Sequence, residues 1–154
     1  MVSTAILKRQ EKLAKTPALK RITAMKETLK AAGNEAQKLR HLPSWASKEM
    51  ADQGLYRYAL PKELGGENLT AREQIEIIEA VSAIDGSVGW CTQISSEINA
   101  LVIRCMEPAL AHKIFDDWDT LVCSGHGPAN GPNPGRSAQK DGDGWRLNYQ
   151  GSFA

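Results

Sequence analysis

Apolar positions recur every three or four residues over most of the first 118 positions. That is the period of a helix with one buried face. Residues 4 to 15 are helix-compatible, and Thr16-Pro17 marks a break, because a residue before proline avoids the helical region. From 18 to 40 the apolar set Leu19, Ile22, Met25, Leu29, Ala32, Ala36 and Leu39 predicts one long helix, weakened in its middle by Gly33-Asn34. Pro43-Ser44 opens a shorter helix, with Ser44 as its N-cap and Gly54 as its stop. Leu55 to Leu60 is a short apolar run ending at Pro61.

Thr70-Ala71-Arg72-Glu73 has the form of a capping box, in which hydroxyl and carboxylate satisfy each other's exposed backbone amides. The helix it starts turns Ile77, Ile78, Val81 and Ile84 inward and stops at Asp85-Gly86. From Ser87 to about Arg104 apolar residues lie almost all round (Val88, Trp90, Cys91, Ile94, Ile98, Leu101, Val102), which predicts a helix buried within a bundle. Pro108 suits the first turn of a last helix ending near Trp118. The pattern then changes. Leu121-Val122-Cys123 reads as a short strand, and Gly125 to Gly135 as a loop rich in glycine and proline. Ser137 to Lys140 and Trp145 to Gln150 flank Asp141-Gly142-Asp143-Gly144, a hairpin signal. Trp145, Leu147 and Tyr149 alternate with polar residues, as in a half-buried strand. The closing Gly151-Ser152-Phe153-Ala154 is strand-like with no turn after it, so a truncated chain, or one segment of a larger domain, is expected.

At 154 residues, 42% hydrophobic and 24% charged, the chain has the make-up of one globular domain. No apolar run approaches the roughly 20 residues that span a bilayer. The start has no basic segment followed by an apolar core and a cleavage site, so no signal peptide is read. Cys91, Cys105 and Cys123 are odd in number and form no C-x-x-C pair; buried free thiols in a reducing cytoplasm are expected. Net charge is +1, but residues 1 to 41 carry ten Lys or Arg against three Glu, leaving −6 on the rest. The basic stretch lacks interleaved aromatics and any nucleic-acid signature, and reads as a solvated helix face. No His, Cys or carboxylate spacing suits a metal, and Gly142 and Gly144 form no dinucleotide fingerprint.

Three stretches resemble one family. Leu60-Pro61-Lys62-Glu63-Leu64-Gly65-Gly66 is followed about twenty residues on by Asp85-Gly86-Ser87-Val88-Gly89-Trp90, and the hairpin closes with Asp-Gly-Trp-Arg-Leu-Asn-Tyr-Gln-Gly-Ser-Phe-Ala. Together they resemble the N-terminal portion of the acyl-CoA dehydrogenase-like flavoproteins. The resemblance implies a mostly α chain followed by the first strands of a β middle domain. Its boundaries are a basic arm at 1–16, a helical domain at 17–118, and an incomplete middle domain at 119–154. It also implies a flavin cofactor, FAD or FMN, and a homotetramer for the complete protein.

The family's dehydrogenases carry T-E-x-x-x-G-S-D after the first middle-domain strand. This chain has Cys123-Ser124-Gly125-His126-Gly127-Pro128 there, which resembles the two-component flavin monooxygenase branch. Those enzymes receive reduced flavin from a separate reductase and use O2 to hydroxylate an aromatic or related small molecule. By that resemblance Ser124 and the backbone of Gly125 and Gly127 hold the flavin, where glycines allow close approach. Trp90, Ile94 and Trp118 wall a dry substrate pocket. His126, the one histidine of the loop, is the catalytic acid–base group. Two rivals stand beside this reading: an acyl-CoA dehydrogenase with a divergent flavin loop, and a truncated, non-catalytic helical module.

Overall fold

A computed structural model describes residues 3–120 and 137–148. The chain forms two compact units, 1–122 and 123–154. The first unit is helical. Its elements are α1 (Thr4–Ala14), α2 (Ala18–Ala24), α3 (Lys26–Leu39), α4 (Ser44–Asp52), α5 (Ala71–Ser82), α6 (Gly86–Val102) and α7 (Pro108–Phe115). Short 3-10 turns at Lys62–Leu64 and Ile103–Cys105 complete it. The described part of the second unit is an antiparallel hairpin of β1 (Ser137–Asp141) and β2 (Gly144–Asn148). A mostly α chain followed by β strands, as the resemblance implied, is what the structure shows.

The core follows from the helical period. Ile6, Ile22, Leu29, Met50, Ile77, Val81 and Val88 are all buried in it. Each such side chain contributes about 1.5–3 kcal/mol on leaving water. α1 lies within the stretch read as an arm, and it packs on the unit through Ile6 and Leu13. The predicted long helix over 18–40 is instead two helices. The break falls at Met25, with φ −87° and ψ 1°, and not at Gly33. The bend has a packing reason: α2 turns onto α5, while α3 runs on to α6. α4 begins at Ser44, but its cap is Pro43 with no side-chain bond, one residue earlier than the sequence suggested. The capping box forms as expected, with the Thr70 hydroxyl accepting from the Glu73 amide and Glu73 accepting from the Thr70 amide.

Between α4 and α5 the chain has no regular helix, yet Leu55, Tyr56, Arg57, Tyr58 and Leu60 are all buried. Buried irregular backbone must find hydrogen-bond partners. Here two arginines supply much of what is needed. Arg21 donates to the carbonyls of Leu13, Thr16 and Gln53 and pairs with Glu67. Arg57, 1% exposed, donates to the carbonyls of Leu64 (2.8 Å), Phe115 (2.9 Å), Asp117 (2.6 Å) and Trp118 (3.1 Å). Several of these oxygens lie at helix ends, where carbonyls lack an intrahelical donor and carry the negative end of the dipole.

In the hairpin, Asp141 pairs with Gly144 and only Gly142 of the two turn residues has positive φ (60°), the form of a type II′ turn. β2 departs from the expected half-buried strand: Trp145 and Leu147 are 66% and 70% exposed. Two strands alone enclose no core. The thiols depart too. Cys91 is half-buried, and Cys105 is exposed because it sits in the 3-10 turn after α6 and not in the helix. Among the described residues no helix is long and apolar enough to cross a membrane.

Candidate functional site

The junction of α5 and α6 is built by close approach. Asp85 caps α6, its Oδ1 accepting from the amides of Ser87 (2.9 Å) and Val88 (3.0 Å). The carboxylate lies so near α3 that a Cβ on Gly33 would stand 2.2 Å from Oδ2. One turn on, a Cβ on Gly89 would stand 2.1 Å from Ser82 Oγ. Gly33 and Gly89 therefore let α3, α5 and α6 meet around one capping carboxylate.

That geometry fixes which side of α6 faces inward, and it is not the apolar side. Val88, Gly89, Thr92, Ser96 and Asn99 are the buried residues. Thr92 Oγ1 donates to Val88 O at 2.9 Å, and Asn99 Nδ2 donates to Tyr56 O at 3.0 Å. The expectation of a helix buried all round is thus corrected. α6 turns small and polar residues inward, and of these Asn99 donates a hydrogen bond to the irregular 53–60 segment. It leaves an apolar stripe outward: Trp90 (62% exposed) and Leu101 (57%), with Ile94 and Ile98 half-buried.

Trp90 and Cys91 also line an open cleft of about 790 Å³ between the end of α3 and the start of α6. Ala36, Arg40, His41 and Leu42 form its other side. Arg40 ends α3 in the left-handed region at φ 64°. That conformation is uncommon for a residue with a Cβ, and it turns the chain back toward α6. His41 uses its Nδ1–H on the carbonyl of Leu42 at 2.9 Å. Burial, with Asp85 nearby, pushes the Cys91 thiol up, which favours its protonated form.

Of the residues expected at a site, Trp90 lies in this cleft and Ile94 one turn further along the outward stripe of α6. Trp118 is elsewhere: it is 6% exposed, its Nε1–H donates to Ala51 O at 2.7 Å, and the Arg57 guanidinium lies 4.6 Å above its ring. Ser124, Gly125, His126 and Gly127 lie outside the described residues. Among the described residues no group is arranged to hold a flavin. The amides exposed at the start of α6 are already taken by Asp85, and the cleft lining carries one guanidinium, Arg40, and one imidazole, His41. No cluster of three or more His, Cys, Asp or Glu capable of holding a metal occurs among them either.

Burial also marks groups the sequence did not single out. Desolvation pushes the phenols of Tyr56 and Tyr58 up to about 12; Ser47 Oγ lies 3.4 Å from the Tyr56 hydroxyl, whereas the Tyr58 hydroxyl and Ser96 Oγ are buried with no hydrogen-bond partner among the described residues. Desolvation lowers the Arg57 guanidinium to about 10, against the pull of Asp117, Asp119 and Asp116, so it stays charged at neutral pH. The signals for Arg57 were faint: one arginine inside an apolar run, and helices ending without a glycine cap.

Residues 46–114 match the family model described as the acyl-CoA dehydrogenase N-terminal domain. These residues carry an acyl-CoA dehydrogenase N-terminal domain, consistent with the N-terminal portion of the acyl-CoA dehydrogenase-like superfamily. It is similar to a pigment production hydroxylase of Rhodococcus erythropolis, 26% identical over 130 residues, covering 84% of this chain and 33% of that protein. It is similar to the flavin-dependent monooxygenase oxygenase subunit HsaA of Rhodococcus jostii, 23% identical over 110 residues, with 71% and 29% covered. A 37-residue stretch is 51% identical to an indole-3-acetate monooxygenase of Acinetobacter baumannii, covering 24% of this chain and 10% of that protein. The chain thus spans a third or less of the length of these relatives.

Proposed function

We propose that this chain is the N-terminal part of the oxygenase component of a two-component flavin-dependent monooxygenase. The complete protein hydroxylates an aromatic or related small molecule with O2 and flavin reduced by a separate reductase. Three relatives with names of hydroxylases or monooxygenases, one an oxygenase subunit, support the reading. The observation that carries it within this chain is the inverted α6, whose polar face is spent inside and whose Trp90 and Ile94 are offered outward as a dry wall. The bound flavin supplies the oxygen-activating chemistry. Excluding water from its surroundings suppresses side reactions.

In this reading Ser124 and the amides of Gly125 and Gly127 bind the flavin, and His126 holds or removes a proton at the substrate oxygen. Trp118 acts from behind, bracing the segment that leads into residue 121. In the complete protein, His126→Ala should lower hydroxylation ~10²–10⁴-fold with flavin affinity unchanged. Ser124→Ala should instead weaken flavin retention by about 1 kcal/mol, the worth of one hydrogen bond. Hydroxylated product and flavin dissociation constants, measured side by side, test this. Parent-like turnover by His126→Ala removes the histidine from the mechanism. Anaerobic bleaching of the oxidised flavin by an acyl-CoA would show a dehydrogenase instead.

A further inference from the structure

We propose that α1 is a hinged lid over Trp118 and the buried Arg57 guanidinium, opening from its N-terminal end while α5 and α6 stay folded. The proposal does not depend on the flavin reading of the chain. Little of α1 is buried: Ile6 and Leu13 are the two buried residues of its eleven. Both rest on loop glycines. A Cβ on Gly54 would stand 2.6 Å from Leu13 Cδ1, and one on Gly65 would stand 2.3 Å from Ile6 Cγ2 and 3.3 Å from Arg57 Nη1. Ile6 therefore lies on the backbone beside Arg57. About one turn on, the Arg9 guanidinium lies 5.5 Å from the centroid of the Trp118 ring, whose other cation, Arg57, lies at 4.6 Å. Arg9 is 44% exposed whereas Arg57 is 1% exposed, so Arg9 is the cation that meets solvent.

Polar links hold the N-terminal part of α1. The Ser3 amide donates to Asp116 Oδ1 at 2.9 Å, Arg9 pairs with Asp52 at 3.2 Å and Asp119 at 4.0 Å, and Gln10 donates to the carbonyls of Lys62 and Gly66. Exposed ion pairs and an exposed cation–π contact are weak fastenings. The C-terminal end is tied differently: the buried Arg21 holds the carbonyls of Leu13 and Thr16, just before Pro17. A strong end beside a proline and a weak end on the surface make a hinge and a free edge. An isolated helix of eleven residues is marginal in water, so α1 loses its own hydrogen bonds once it leaves its seat. By contrast α5 and α6 pack on each other and on α2 and α3 respectively, the kind of unit that opens last.

Hydrogen exchange of the 154-residue chain, followed by NMR, tests this. The reporters are the α1 amides, the amides of α5 and α6, and the Trp118 indole N–H, which donates to Ala51 O at 2.7 Å beneath the lid. In the parent the α1 amides and the indole N–H should share one opening constant, roughly tenfold or more above that of α5 and α6. Arg9→Gln should raise both about two- to fivefold and leave α5 and α6 unchanged. Arg9→Lys, which keeps a cation, should stay near the parent. Ile6→Ala should raise both by roughly tenfold or more. Exchange of the indole N–H together with α5 and α6 overturns the proposal, because only global unfolding then exposes Trp118. So does an Arg9→Gln variant that speeds α1 and leaves the indole N–H where it was, since α1 then covers nothing. Arg9→Gln changes only an exposed side chain, so it decides the matter even where Ile6→Ala fails to fold.

Discussion

Replacing Arg57 by methionine should cost about 3 kcal/mol of stability, most of it by stranding backbone oxygens. Methionine keeps the length of the aliphatic stem and its contact with Trp118 but removes every donor. The carbonyls of Leu64, Phe115, Asp117 and Trp118 then lose their shared partner, three of those bonds being fully buried. An unsatisfied buried acceptor costs about 1–3 kcal/mol. Against this, the variant no longer buries a charge; the guanidinium's pKa, lowered to about 10, shows that burial is unfavourable by a few kcal/mol. Asp117 O keeps the Thr120 amide at 3.3 Å, so three stranded carbonyls at about 2 kcal/mol each, less that relief, leave roughly 3 kcal/mol. Arg57→Lys keeps the charge but cannot span four carbonyls with its compact ammonium, so it should fall between parent and Arg57→Met. Urea unfolding followed by helical circular dichroism gives both values. A methionine variant within 1 kcal/mol of the parent would refute the argument, because burial of the guanidinium would then cost as much as its four bonds return.

Gly33→Ala should destabilise by about 2 kcal/mol even though alanine is the better helix former by about 1 kcal/mol, because the new methyl displaces the Asp85 cap; thermal melts of Gly33→Ala and of Asp85→Ala should show overlapping losses and not additive ones. Thr70→Ala should cost about 1 kcal/mol at the start of α5, measured by urea unfolding. The folded chain should keep Tyr56 and Tyr58 protonated well above pH 10, with tyrosinate absorbance rising near pH 12. Their folded pKa values are raised, so the unfolded chain releases these protons first: the stability they contribute is whole below pH 10 and is lost between pH 10 and about 12, up to about 2–3 kcal/mol for each. A tyrosine titration centred at 10 with stability unchanged across that window would contradict the burial.

Elements that declare themselves by short-range chemistry were legible in the sequence. The capping box at Thr70, the proline at the start of α7 and the Asp-Gly turn of the hairpin each depend on neighbours within three residues, and each stands where it was expected. The bend at Met25 was not legible, because nothing local demands it; it answers to α2 and α3 having different partners. Gly33 misled for the same reason in reverse. Its missing side chain reads as helix weakness along the chain, but across the fold it is the space that Asp85 occupies.

The face of α6 is the most instructive miss, because hydrophobic periodicity gave the wrong side. Burial ranks residues by apolar transfer only when the surroundings are apolar. Here the neighbour is the irregular 53–60 segment, whose Tyr56 carbonyl accepts a hydrogen bond from Asn99, so a polar residue faces inward. Of the apolar residues so displaced, Trp90 and Leu101 are exposed and Ile94 half-buried. The outward side of α6 therefore carries Trp90 into the cleft it shares with the end of α3.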